Sequence, residues 1–169
     1  MKNIKLLALI SVAFFFSCNN SEKQKNAPLR HVGDILFDPK IDTTDFQPCH
    51  EDLTFQYYNF SSAIQYDGEK AKVLREFDRQ FQAVDEYENG YVTIRFIVNC
   101  DGKTGWYRIV TMDLDYNEKN LSKELTNQLL EITKSLDGWK PGDFDGKNYD
   151  YYQYLTFKIT NGDIERIMP

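Results

Sequence analysis

Histidine is scarce, with His31 and His50 the only two in 169 residues. That leaves little material for hydrolytic or metal-based catalysis, in which imidazole most often serves as base or ligand. Cys49-His50 sets a thiol beside a base in sequence, but neighbours in extended chain point to opposite sides, so they do not make a nucleophile and its activator. The chain has no H-E-x-x-H, no G-x-S-x-G and no C-x-x-C, and Gly102-Lys103-Thr104 lacks the upstream glycine loop that a phosphate cradle requires. The expectation is therefore no catalytic residue, no metal and no cofactor. Asp113, Asp115, Asn117 and Glu124 do fall at the ligand spacing of an EF-hand-like calcium loop, yet Glu118 stands where the sharp turn needs glycine. They read instead as acids at and near a helix N-terminus, where they complement the macrodipole.

Positive charge is also in deficit: 20 Lys and Arg face 26 Asp and Glu, for a net charge of −6. This excludes sequence-independent nucleic-acid binding, which relies on basic surface to release counterions. Anionic lipid headgroups should likewise repel the body of the protein. Long hydrophobic runs are missing too. Leu6 to Phe16 is mostly apolar but only eleven residues long, where about 20 are needed to span a bilayer. Preceded by Lys2 and Lys5 and followed by Ser17-Cys18, it reads as a secretory signal peptide over residues 1–17. Phe15-Phe16-Ser17-Cys18 resembles a lipobox, with Phe15 in place of the preferred leucine, and the resemblance implies lipid on Cys18. Several acyl chains would then hold the protein at a membrane. Residues 18–33 follow as a polar tether, and 34–169 suffice for a single domain with its own core. Glu22 is the one acid of that tether, which favours a periplasm-facing position, at the outer membrane, over display on the cell surface.

Short apolar patches at Ile35-Leu36-Phe37, Phe55, Tyr57-Tyr58 and Phe60, broken by Pro39 and Pro48, read as an extended arm packing on the domain. Asp67 can cap a first helix carrying Val73, Leu74, Phe77, Phe81 and Val84. From Gly90 the pattern switches to alternation. Val92, Ile94, Phe96 and Val98 share one side of a strand, with Tyr91, Thr93, Arg95 and Asn99 on the other. Asp101-Gly102 supplies a tight hairpin turn, so Lys103 to Thr111 should return as an antiparallel partner. Leu121, Leu125, Leu129, Ile132 and Leu136 then mark one face of a second helix. Gly138 and Pro141 stop it, and Trp139 reads as a packing anchor. The last long strand runs from about Asp150 to Thr160, and Asn161-Gly162 predicts a further hairpin that folds Ile164 to Ile167 back beside it.

This order, G-Y-V-T-I-R-F-I-V-N-C-D-G-K, a helix, W-K-P, and Gly146-Lys147 before a strand, is similar to the C-terminal domain of TonB and its relatives over about residues 88 to 160. The resemblance implies an α+β fold: a small antiparallel β-sheet with a long helix on one face, here preceded by an extra helix and the arm. It also implies a lipoprotein of a Bacteroidetes-type envelope that receives a peptide along its final strand, at Tyr152, Tyr154, Thr156 and Lys158. With five prolines and no spanning helix, the chain cannot transduce energy as TonB does. The expected function is thus a lipid-anchored, non-catalytic binding module, monomeric, with a protein or peptide partner and no nucleic acid. The alternative is an envelope enzyme or small-molecule binder using an aromatic sheet face formed by Tyr91, Trp106 and Tyr107. Against that stands the expectation that the first helix covers this face. Cys49 and Cys100 make an even pair in an exported chain, read as a disulfide, with free thiols or a metal or redox site as the alternatives.

Overall fold

The computed structural model describes residues 33–50, 53–61, 63–84 and 87–168. The signal segment 1–17, Cys18, His31 and the tether up to residue 32 lie outside the described residues. The elements are β1 (Thr54–Gln56), α1 (Glu69–Gln80), β2 (Gly90–Val98), β3 (Thr104–Met112), α2 (Lys123–Ser135), β4 (Gly142–Phe144), β5 (Lys147–Thr160) and β6 (Asp163–Met168). Among them no helix is long and apolar enough to cross a membrane.

β5 is the strand on which the sheet is assembled. β2 lies along one side from Tyr151 to Ile159, and β3 pairs with the far side of β2. Because β2 fills that flank, β1 and β6 must share the opposite one, at Asp150–Tyr152 and Thr156–Thr160 respectively. β4 forms a hairpin with the first residues of β5. The class is α+β, as expected, but the sheet is mixed rather than wholly antiparallel, because β1 runs parallel to β5. A parallel pair needs a long crossover, and the chain between β1 and β5 supplies one.

The alternation read in β2 is realised: Val92, Ile94, Phe96 and Val98 are buried together with Tyr151, Leu155, Phe157 and Ile159 of β5. Both helices cover this one face. α1 contributes Val73 and Phe77, whose ring lies 4.8 Å from Phe157, and α2 contributes Leu125, Leu129 and Ile132. Each such side chain removed from water stabilises the fold by about 1.5–3 kcal/mol. The expectation that α1 covers the second face is thus corrected. Its buried stripe is too short to extend beyond this core, and the chain leaves the helix at Phe81 in extended conformation. Asp67 is not its cap either. Gly68, at φ +75°, takes that position, and Asp67 instead pairs with Lys72. α2 begins more conventionally, with Ser122 Oγ accepting the Leu125 amide at 3.3 Å. Trp139 does anchor the helix end, set edge-on to Tyr66 and Phe96 with ring centroids about 5 Å away.

Two turns hold the strands in register. Gly102, at φ +77°, leaves only 2.6 Å between an added Cβ and the Trp139 carbonyl oxygen, so no other residue fits the Asp101-Gly102 turn. At Asn161-Gly162 both residues are left-handed, the geometry of a two-residue hairpin. The arm lies on the second sheet face, where Ile35 and Phe46 bury Ile97 and Tyr152.

Candidate functional site

The outer side of β5 is largely occupied from within the chain, so Tyr152 to Thr160 is an interior stretch rather than a free edge. Ile167 of β6 is buried and Ile164 packs partly against the core, which makes β6 a contributor to stability as well as a neighbour. Only Gln153 to Leu155 falls between β1 and β6. There Gln153 Nε2 donates to the Tyr154 carbonyl at 2.8 Å, and Tyr57 closes the gap with its ring edge-on to Tyr154. Burial, aided by the Tyr57 hydroxyl 3.5 Å away, pushes the Tyr154 phenol up to about 12. The other expected edge residues are also engaged: the Tyr152 hydroxyl donates to Asp34, Thr156 meets the Thr93 hydroxyl, and Lys158 pairs with Glu165 at 2.7 Å.

What remains open is one strand further out. Among the described residues β6 pairs with β5 alone, and its outer flank borders a groove of about 610 Å³ against α1. Leu74, Phe77 and Phe81 from the helix side and Ile164 and Ile167 from the strand give it apolar surface, with Arg75, Asp78, Asp163 and Arg166 as charged lining. Leu74 is 40% exposed there, an unusual loss of burial for a residue on the apolar stripe of α1.

Tyr91, Trp106 and Tyr107 do not form one face. Tyr107 turns towards the helices, stacks on Phe96 at 5.2 Å and donates its hydroxyl to Thr104, and burial raises its phenol. Trp106 lies on the opposite face between Phe37 and Phe46, with its Nε1 buried and lacking an acceptor. Tyr91 sits at the far end, stacked on Tyr116 at 5.1 Å. Strand alternation sets Tyr107 opposite its neighbour Trp106; Trp106 itself lies opposite a register shift between Arg95 and Ile97 and adopts φ +53°, a left-handed backbone rare for so bulky a residue.

Cys49 and Cys100 form a disulfide. Beneath it lies a residue that composition did not single out, Asp150 of β5, whose side chain is fully buried. One carboxylate oxygen accepts the His50 amide at 2.6 Å and the other the Cys100 amide at 2.7 Å, so a single group gathers both cysteine segments onto the central strand. His50 Nδ1 stands 3.5 Å from the same carboxylate. The sequence signal that could have found Asp150 is a lone acid inside the aromatic run Tyr149 to Tyr154, where a charge persists only if bonded. Asp101 lies beside the sulfurs, but with those sulfurs joined the group is spent on structure. The calcium-like loop is likewise used locally: Asp113 Oδ1 accepts the amides of Asp115 and Asn117, and these bonds hold its carboxyl below the usual range.

Fold and site together define a small α+β domain with an open mixed sheet, a β6 flank beside the α1 groove and an aromatic pocket under an arm. No family model matches the chain, and neither a curated protein nor a solved structure does.

Proposed function

We propose that the chain is a lipid-anchored, non-catalytic binding module of the cell envelope, related in design to the TonB C-terminal domain, that receives an extended segment of another polypeptide. The observation that carries this reading is the outer flank of β6, unpaired among the described residues, beside the α1 groove with its mixed apolar and charged lining. A strand edge presents N–H and C=O groups that only another extended backbone can satisfy in series, and flanking pockets then take alternate side chains. In TonB relatives the peptide lies beside the final strand. Here β6 occupies that place and becomes the new receiving strand, while its charged residues Asp163, Glu165 and Arg166 discourage indiscriminate pairing.

The test is a titration of the full chain with a panel of short extended peptides, followed by NMR. A bound peptide should shift Leu74, Phe81 and Ile164 to Ile167. Leu74→Glu, on an exposed position that leaves the core intact, should abolish binding. Deleting residues 163–169 should also abolish it. Binding that survives Leu74→Glu, or strengthens after the deletion, would show that the peptide pairs with β5 and that β6 is a displaceable plug.

A further inference from the structure

A second site lies on the other sheet face, away from the α1 groove. The arm and the sheet enclose a cavity of about 680 Å³, with Asp34, Ile35, Phe37, Pro48, Trp106 and Tyr152 in its wall. Three of these are aromatic. The Trp106 Nε1 is closed off inside the protein and has no partner among the described residues, so the indole lines the cavity with ring carbons and not with its hydrogen-bond donor. Its strained backbone, at φ +53°, holds that ring on this face although its neighbour Tyr107 points the other way. Among the described residues Asp34 is the only formally charged one in the wall; its carboxylate accepts the Tyr152 hydroxyl at 3.3 Å, and the residue is exposed.

π surfaces attract cations through their quadrupole, and a carboxylate at the rim adds a charge partner, whereas an anion would meet both a negative wall and a negative rim. We infer that this cavity binds a small organic ammonium ion, its apolar substituents against Phe37 and Trp106 and its charge towards Asp34. Arg95 stands one rung along the same sheet face and feels the charge of Asp34 without lining the cavity.

The experiment is NMR titration of the full chain with tetramethylammonium chloride and with n-butylammonium chloride, against sodium chloride at equal ionic strength. The two tryptophans give two indole N–H signals. Saturable movement of the Trp106 signal, with that of buried Trp139 unmoved, is the expected result, and stronger movement with one of the two ions tells whether the ligand is quaternary or primary. Asp34→Asn, at an exposed position, should weaken binding about fivefold, and Trp106→Phe, followed by calorimetry, by a similar factor. No saturable shift, a shift equal to that with sodium chloride, or unchanged affinity in Asp34→Asn would overturn the inference. The peptide-binding reading is unaffected by any of these results, because Leu74→Glu tests it on the opposite face.

Discussion

Asp150 illustrates how one residue can decide whether two distant segments stay in place. Its carboxylate is removed from water and bonds two backbone amides, at His50 and Cys100, that would otherwise be buried without acceptors. Leaving a buried donor unsatisfied costs about 1–3 kcal/mol, and bonds to an ionised acceptor are the stronger kind. Asp150→Ala should therefore lower unfolding stability by about 3 kcal/mol. Urea denaturation measures it; a loss under about 1 kcal/mol would mean that water or a backbone shift replaces the carboxylate. Asn99 works in the same way at the neighbouring turn, accepting the Asp101 and Lys103 amides and donating to Gln47 of the arm.

At the scale of elements, the arm is held down chiefly by Arg108. Its guanidinium makes two parallel bonds to Asp42, at 2.8 and 2.6 Å, and a third to the Leu36 carbonyl. These bonds keep the Asp42 carboxyl below the ordinary carboxylate range. Since the folded pKa is lower than the unfolded value of about 3.9, the contribution is complete above that pH and is lost as pH falls through the folded pKa. Trp106, packed under the arm, should report the release as an acid-induced change in fluorescence. Asp42→Asn should show that signal already at neutral pH and no acid step; an unchanged acid profile in this variant would assign the transition to other carboxylates.

Elements with a period were legible in the sequence. Four alternating residues announced β2, five leucine-type residues announced α2, and Asp101-Gly102 and Asn161-Gly162 located two of the three hairpins. β1 and β4 were not, because three residues carry no period and both owe their form to pairing with β5. The face of Tyr107 was misplaced although it was legible, because adjacent residues of a strand point apart and alternation alone sets Tyr107 opposite Trp106; only the bulge beside Trp106 depends on tertiary register. The free flank of β6 was half visible: the hairpin already implied that residues 164–167 would cover part of the β5 edge, but that β1 would fill much of the rest was not legible.

For the whole molecule, the Cys49–Cys100 link closes a loop across 51 positions and joins the arm region to the end of β2. Loop-closure entropy for that length amounts to about 4 kcal/mol of stabilisation. Reduction under native conditions should raise the intact mass by about 2 Da and shift the urea midpoint by a corresponding amount. A midpoint that does not move would show that hydrophobic packing and the Asp150 bonds already confine the reduced chain. The centrality of β5 carries a different consequence, one for biogenesis. A chain made from its N-terminus presents Cys49 and Cys100 well before residue 147, while every described strand except β3 finds a partner on β5. Until that last segment is delivered, the only sheet the described strands can form is the β2–β3 hairpin, so both thiols are available to pair before the strand that will gather them has arrived.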